Sequence, residues 1–266
     1  MPTPPSPPAP FQPPLTRTAQ PASPDTRARA SRSRPAKRVS APPRARRPSR
    51  SRELQLWADG HSIVAGVDEV GRGPLAGPVV AGAVSLHPHK RPAWLRHVRD
   101  SKQLSAPVRR DIADTIKHTV PAWGVGWAAV QEIDSVGILQ ATRLAMRRAL
   151  ADLAARAGAP PDYALIDGRD AHQFNCPFET IVRGDASCTS IAAASVVAKV
   201  ARDAWMETRS AAYPGYGFAS NKGYGTPQHL AALKRLGPCA EHRYSFAPVR
   251  ANDRAALRPA PLPLGF

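Results

Sequence analysis

The sequence predicts an α/β fold in which a mixed β-sheet is flanked by helices on both faces and followed by a helical C-terminal region. Two observations lead to this prediction. Early in the chain, two β-rich runs are joined by a short glycine-rich turn, which favours antiparallel neighbours because a parallel connection needs a longer crossover. Farther along, β-rich runs alternate with segments of helical spacing, which is typical of strands joined by helices.

The first two strands are predicted on either side of the glycine-rich turn. Residues 63–67 form a β-rich run that ends at the acidic pair Asp68-Glu69, and residues 79–86 form the second run. Residues 71–78 between them contain three glycines and two prolines. We therefore expect two neighbouring strands with an acidic pair at the end of the first.

Helices and further strands follow in alternation. Residues 105–118 have helical spacing, and Pro107 lies near the first turn, where its missing N–H costs nothing. Residues 123–130 predict a third strand, and residues 138–157 predict an amphipathic helix that ends at Gly158. The remaining predicted elements are strands over residues 163–166 and 178–183, an Ala-rich helix over residues 190–208 and a helix over residues 227–236.

Positive charge and proline are concentrated in the first 52 residues. Of the 37 Lys and Arg residues, 12 lie there with a single acid, Asp25, and so do 14 of the 30 prolines. Such a segment buries too little apolar surface to offset its ordering entropy, so residues 1–52 are predicted to be a disordered tail. Neither a secretory signal nor a transit peptide fits this composition. The domain itself is predicted over residues 60–250, with a short tail over residues 251–266.

Hydropathy and cysteine usage predict a cytoplasmic protein that does not bind membranes. No stretch approaches the roughly 20 apolar residues of a membrane-spanning helix. Cys176, Cys188 and Cys239 form no C-x-x-C pair and are odd in number, which disfavours a disulfide framework and a structural zinc site. We expect a monomer, and no segment of the sequence identifies a protein partner.

Acidic residues follow three of the predicted strands: Asp68 and Glu69 the first, Asp167 the fourth, and Asp185 the fifth. Strand ends in such a sheet share one rim, where four carboxylates would repel each other unless a cation lay among them. Oxygen ligands without His or Cys favour Mg²⁺ or Mn²⁺, and paired ions in a basic protein suggest phosphodiester hydrolysis. Each acid taken alone could instead cap a turn or a helix.

Two loops complete the candidate site. The glycine spacing in residues 71–77 is close to a dinucleotide-binding motif, but the next element is a predicted strand rather than a helix, which disfavours that function. Glycines allow the backbone near Arg72 to approach a sugar or a phosphate, although a tight hairpin would explain them as well. In residues 221–226, Lys222 suits a phosphate and Tyr224 suits stacking on a base or a sugar.

Taken together, these motifs resemble those of the ribonuclease HII family. The resemblance covers roughly residues 60–250 in the family's order and leaves the tail outside. Its most specific stretches are GVDEVGRGPLAGPV over residues 66–79, and Gly184-Asp185 with SIAAASVVAKVARD over residues 190–203. The other matching stretches are DSKQL over residues 100–104, IDG over residues 166–168 and KGYGT over residues 222–226.

The resemblance implies an RNase H-like fold and endonucleolytic cleavage of RNA in RNA–DNA hybrids. It also implies cleavage at single ribonucleotides embedded in duplex DNA, with a 3′-hydroxyl and a 5′-phosphate as products. The carboxylates of Asp68, Glu69, Asp167 and Asp185 are implied to be catalytic and to bind Mg²⁺ or Mn²⁺.

The two loops are implied to contact the substrate. Gly71, Arg72 and Gly73 match residues that contact the 2′-hydroxyl at the RNA-to-DNA step, and Tyr224 matches a tyrosine that stacks on the adjoining deoxyribose. The remaining residues expected to bind the substrate are Lys102 and Lys222. The sequence departs from the family pattern at Asn221, where histidine commonly precedes the lysine, so we expect an altered contact near the nucleic acid.

Two other functions stay open on the sequence alone. A related nuclease of the same fold, either ribonuclease HIII or a transposase or integrase, would share the carboxylates but not the loop. A non-catalytic nucleic-acid-binding module would bind mainly through the basic tail by releasing counterions, and would need no metal.

Overall fold

A five-stranded mixed sheet lies at the centre of the structure, a computed structural model that describes residues 47–98, 105–169 and 174–253. Its strands are Val64–Val70 (β1), Val79–Ser85 (β2), Ala122–Ala128 (β3), Tyr163–Asp167 (β4) and Phe178–Ile181 (β5). Their order across the sheet is β3-β2-β1-β4-β5. β1, β2 and β3 are antiparallel neighbours, whereas β4 is parallel to β1 and β5 is parallel to β4.

Helices cover both faces of this sheet. They are Ser51–Ala58 (α1), Ala106–Thr119 (α2), Val130–Ala157 (α3), Gly184–Ser187 (α4), Thr189–Ala212 (α5), Phe218–Asn221 (α6), Pro227–Leu236 (α7) and Ala247–Arg250 (α8), with a 3₁₀ turn at Ala93–Arg96. α3 packs against one face, and α2 and α5 pack against the other. The predicted mixed sheet with helices on both faces is confirmed. Within the described residues, no helix is long and apolar enough to cross a membrane.

Glycines within the strands set the distance between sheet and helices. A Cβ added to Gly126 of β3 would collide with the carbonyl oxygen of Ala145 in α3. One added to Gly82 of β2 would collide with the carbonyl oxygen of Ala194 in α5. Larger side chains would therefore push the helices away from the sheet. This close packing places α5 directly beside the β1 segment that carries the first acidic pair.

Three of the differences from the predicted element boundaries have a clear physical cause. β1 does not stop before Asp68 and Glu69, because both residues continue the ladder with β2. β5 ends two residues earlier than predicted, and Arg183 beyond it has a left-handed φ of 55° that is incompatible with a strand. α3 begins at Val130, and Gly137 (φ 78°, ψ 157°) interrupts it, which hides its first turns from the helical periodicity.

The N-terminal segment is folded onto the domain earlier than the sequence predicts. Ser49 forms a parallel β-bridge with Cys188, and Arg52 donates two hydrogen bonds to the carboxylate of Glu179 in β5. The predicted tail boundary at residue 52 is therefore wrong. The contacts that order residues 47–52 are polar and join residues far apart in sequence, so composition gives no sign of them.

Glu53 in α1 caps the N-terminus of α5. Its side chain is fully buried, and its Oε1 accepts hydrogen bonds from the Ser190 N–H (2.8 Å) and the Cys188 thiol (3.2 Å). Cys188 occupies the N-cap position of α5 and makes no side-chain cap of its own. A carboxylate from another helix thus satisfies a free N–H group and complements the helix dipole. In this way α1 fixes the start of the helix that lies beside the acidic pair.

Replacing this cap should destabilise the domain. Glu53→Ala leaves the Ser190 N–H without its partner in a buried site, so we expect the free energy of unfolding to fall by about 2–3 kcal/mol. Urea denaturation measures the change. Gln55→Ala, on the exposed side of the same helix, is the matched control and should change stability by less than about 0.5 kcal/mol. Equal losses in the two variants would contradict the capping role.

Candidate active site

Three carboxylates converge near the C-terminal ends of β1 and β4, which are adjacent strands in the interior of the sheet. Asp68 and Glu69 are near the end of β1, and Asp167 is the last residue of the adjacent parallel strand β4. Each residue offers one carboxylate oxygen, and these oxygens lie within 4.8 Å of one another. The parallel register of β1 and β4 brings residues about 100 positions apart in sequence to the same point.

Burial and like charges govern the electrostatics of this cluster. Asp68 is only 5% exposed, and its burial, followed by the charges of Glu69, Asp167 and Asp185, raises its pKa well above the usual range. The Glu69 N–H donates to Asp68 Oδ1 (2.8 Å), and a hydrogen bond with Ser195 of α5 opposes the rise. Burial also raises the pKa of Glu69.

Arg72 partly offsets the negative charge of the cluster. Its Nη1 lies 3.2 Å from Glu69 Oε1, and this interaction works against the rise in the Glu69 pKa that burial causes. The Arg72 side chain is 48% exposed, whereas that of Glu69 is 14% exposed. The guanidinium group therefore reaches from the solvent edge onto the inner carboxylate.

Asp185 lies beside the cluster on a different element from the one predicted. It occupies the first turn of the short helix α4, not the end of a strand, because the left-handed Arg183 has already ended the extended backbone. The neighbouring Gly184 N–H donates to Asp167 Oδ1 (2.6 Å) and so attaches α4 to the end of β4. The charge of Asp185 contributes to the raised pKa of Asp68, as expected for a group close to it.

The donor set fits a hard divalent cation. Three buried or half-buried carboxylates within ligand distance of each other are costly when all are ionised, and a cation among them removes that cost. The cluster offers oxygen atoms only, which suits Mg²⁺ or Mn²⁺ rather than Zn²⁺. Asp68, Glu69 and Asp167 would hold such an ion, whereas Asp185 lies outside the group whose oxygens are within 4.8 Å of one another.

Two buried arginines hold the loop over residues 71–78, which we call the 71–78 loop. Their guanidinium groups donate five hydrogen bonds to carbonyl oxygens of this loop and a sixth to the neighbouring loop. The acceptors of Arg202 are Ala76 (3.0 Å), Pro78 (3.0 Å) and Lys222 (2.9 Å), and those of Arg243 are Gly71 (2.6 Å), Arg72 (2.9 Å) and Gly77 (2.9 Å). The loop conformation is thus set by donors from α5 and from the segment before α8.

Both arginines remain charged at neutral pH despite their burial. Desolvation lowers the pKa of Arg202 to about 10 and that of Arg243 to about 9. Gly71 (φ 91°), at the start of the loop, packs directly against Arg202. Any larger residue is excluded there, because a Cβ at this position would collide with the Arg202 side chain. Sequence reasoning missed both roles. Arg202 falls four residues after the buried Ala198 and seven after Ser195, which is the one sign that it faces inward.

Tyr224 lies against the 71–78 loop. A Cβ added to Gly73 would have Tyr224 Cε1 as its nearest neighbour, at 4.0 Å, and the tyrosine side chain is 41% exposed. The Leu75 N–H donates to the Gly223 carbonyl (2.8 Å), which joins the two loops directly. The structure therefore brings Tyr224 and the 71–78 loop together and leaves the tyrosine side chain partly open to solvent.

Asn221 is a buried part of the loop that carries Lys222 and Tyr224. This residue is 9% exposed, its Nδ2 donates to the Tyr216 carbonyl (2.7 Å), and its Oδ1 accepts from the Gly223 N–H (2.8 Å). It therefore shapes the loop from inside rather than facing a nucleic acid. Lys222 is also engaged by the protein, because its Nζ lies 2.6 Å from Glu207 Oε1. Lys102 lies outside the described residues.

Comparison with known proteins agrees with this geometry. A family model described as Ribonuclease HII matches residues 65–249. A Ribonuclease HII from Nitrosococcus oceani is 54% identical over 187 residues, covering 70% of this chain and 90% of that protein. One from Rhodospirillum rubrum is 55% identical over 197 residues, with 73% and 88% covered. The crystal structure of the ribonuclease H2 from Pyrococcus horikoshii OT3 has a TM-score of 0.60 and 25% identity, covering 74% of this chain and all of that one.

Without metal, Asp68→Asn should make the protein more stable. Because the folded-state pKa of Asp68 is raised, the ionised carboxylate opposes folding. That cost is absent below the unfolded-state pKa and grows as the pH rises through the folded-state pKa. In EDTA at pH 8 we expect the free energy of unfolding of the variant to exceed that of wild type by about 1–2 kcal/mol. At pH 4 the difference should be smaller. Urea denaturation at both pH values measures this.

The control is Asp111→Asn, on the exposed side of α2, which should leave stability unchanged at both pH values. Adding Mg²⁺ at pH 8 should stabilise wild type more than the Asp68→Asn variant. A variant less stable than wild type at pH 8 in EDTA would show that the carboxylate is not under electrostatic stress.

Proposed function

This chain belongs to the ribonuclease HII family, and from that premise we propose that it cuts single ribonucleotides embedded in duplex DNA as well as the RNA strand of RNA–DNA hybrids. The family activity is that of a ribonuclease H, a hydrolase. The proposed products are a 3′-hydroxyl and a 5′-phosphate.

One observation carries the substrate proposal: the Tyr224 ring lies against Gly73, in a loop that begins directly after the carboxylate cluster. In the proposal, backbone groups at residues 71–73 contact a 2′-hydroxyl, and the exposed tyrosine ring stacks on the next sugar. Such a site reads a sugar step and no base edge. We therefore propose low sequence specificity.

The proposed chemistry divides between the metal ions and the chain. When bound, a pair of Mg²⁺ or Mn²⁺ ions supplies an activated water and stabilises the leaving oxygen of the phosphodiester. Asp68, Glu69, Asp167 and Asp185 hold those ions in the proposal. Hydrogen bonds from the Glu69 N–H to Asp68 and from the Gly184 N–H to Asp167 fix two of the carboxylates before substrate arrives.

Cleavage of three matched duplexes tests the proposal. With Mg²⁺ or Mn²⁺, wild type should cut an RNA–DNA hybrid and a DNA duplex with one ribonucleotide, and should leave an all-DNA duplex intact. We expect Asp68→Asn to lower the rate by about 10³-fold or more, because metal-assisted stabilisation of the transition state is worth several kcal/mol. End-labelled products analysed by gel electrophoresis give the cut position and the termini.

The exposed-residue variant Asp111→Asn is again the control and should cut at the wild-type rate. Cleavage at the wild-type rate by Asp68→Asn would overturn the assignment of the carboxylates. Cutting of the all-DNA duplex would indicate an integrase-type nuclease. Binding of the hybrid in EDTA without any cleavage on adding Mg²⁺ would indicate a non-catalytic binding module.

We also propose that the basic N-terminal tail adds affinity that does not depend on sequence. Deletion of residues 1–46, which spares the folded Ser49 and Arg52, should weaken binding at low salt and flatten its dependence on salt concentration. The cut position should not change. Fluorescence anisotropy across a salt series and mapping of the cut site measure the two effects, and a shifted cut site would contradict the proposal.

A monomeric, cytoplasmic enzyme is part of the same proposal, and light scattering measures its mass in solution.

A further inference from the structure

Two buried histidines near Tyr224 form a pair that the proposed chemistry does not use. His229 lies in α7 and His242 lies between α7 and α8, and neither has any exposed surface. Their Nε2 atoms are 3.1 Å apart, so one of the two must donate a hydrogen to the other. Burial lowers the pKa of both, that of His242 to about 4, and both rings are therefore neutral at pH 7.

The outer nitrogen of each ring fixes which histidine donates. His242 Nδ1 accepts from the Cys239 N–H (3.0 Å), so the hydrogen of His242 is on Nε2. His229 Nδ1 lies 2.9 Å from the Tyr224 carbonyl oxygen, which can only accept, so the hydrogen of His229 is on Nδ1. His242 Nε2–H then donates to His229 Nε2. The hydrogen bonds run in one direction, from Cys239 through both rings to Tyr224.

The same segment also holds the 71–78 loop. His242 is followed directly by Arg243, whose guanidinium group donates to the carbonyl oxygens of Gly71 and Arg72. Its ring, through His229, holds the backbone of Tyr224. The adjacent residues His242 and Arg243 thus hold both the backbone of Tyr224 and the 71–78 loop, which are proposed to contact the substrate at the RNA-to-DNA step.

We propose that His229 and His242 are positioning residues that hold Tyr224 in place against the 71–78 loop and thereby set the preference for a single ribonucleotide over a continuous hybrid. This inference rests on the proposed function, in which Tyr224 stacks at the junction. A tyrosine free to drift from the loop would lose the junction contact, whereas a hybrid offers a ribose on both sides of each cut and depends less on that contact.

A purely structural role is the alternative. Both rings pack with Tyr216 and Phe218 in a buried aromatic cluster, so their replacement could lower stability alone. Two substitutions of His229 separate the roles. His229→Asn can keep a donor close to the position of Nδ1 but loses the ring, whereas His229→Phe keeps a ring but loses the donor.

The measured quantity is the ratio of kcat/KM on the single-ribonucleotide duplex to kcat/KM on the hybrid. We expect His229→Phe to lower this ratio about five- to tenfold and His229→Asn to lower it less than twofold. Tyr216→Phe is the matched control: it removes a buried hydrogen bond to the Gly237 carbonyl (2.7 Å) in the same cluster without touching Tyr224, and should leave the ratio unchanged.

A double-mutant cycle with Tyr224→Ala completes the test. If His229 acts through Tyr224, the ratio for His229→Phe combined with Tyr224→Ala should equal that for Tyr224→Ala alone. If the Phe variant does not fold, His242→Leu serves in its place, and His242→Gln, which keeps a donor near the Nε2 position, should preserve the ratio.

Several results would overturn the inference. Equal losses on the two substrates, a lower ratio for His229→Asn than for His229→Phe, or additive effects in the cycle would each leave only a packing role for the pair. Failure of wild type to cut the single-ribonucleotide duplex would instead refute the proposed function. Wild-type cleavage with an unchanged ratio in every histidine variant would refute this inference alone.

Discussion

Two buried guanidinium groups determine how the site is assembled. Arg202 reaches the 71–78 loop from α5 and Arg243 reaches it from the C-terminal segment, and their acceptors are all backbone carbonyl oxygens. A guanidinium presents its N–H groups in one plane and at fixed angles, so a chain that satisfies them has little freedom left. The loop that lies between the carboxylates and Tyr224 is consequently shaped by residues far from it in sequence. The C-terminal segment is thereby as much a part of the site as the strands are.

The carboxylates are held by a different principle. Asp68 and Glu69 belong to the ladder between β1 and β2, with helix α5 packed close over one of them. Their backbone cannot shift to relieve repulsion, and burial denies them water. The metal-free domain therefore carries an electrostatic cost that regular secondary structure prevents from relaxing. A rigid, charged and partly dry pocket of this kind is ready for a cation before the cation arrives.

The sheet, its mixed direction and the four longest of the described helices could be predicted because apolar periodicity and glycine-rich turns reflect local structure. Asp68, Glu69 and Asp167 could be placed together for a similar reason, since each ends or follows a recognisable strand. Polar contacts between residues far apart in the chain produce no recognisable pattern in the sequence. Arg202 looks like a surface residue of a predicted helix, Glu53 lies in a helix that the sequence does not predict, and Arg243 lies in an irregular segment. Only the folded chain shows that all three are buried. The sequence predicts Asp185 directly after a strand that reaches residue 183, because the left-handed turn at Arg183 is not visible in composition.

The cap that α1 places on α5 has a consequence for chemical reactivity. The Cys188 thiol donates to Glu53 Oε1 beneath α1, and burial raises its pKa, so it is a poor nucleophile while α1 is docked. An alkylating reagent can reach the sulfur only when α1 lifts away. The rate at which Cys188 is alkylated therefore reports how often α1 leaves the domain while the rest of the fold stays intact.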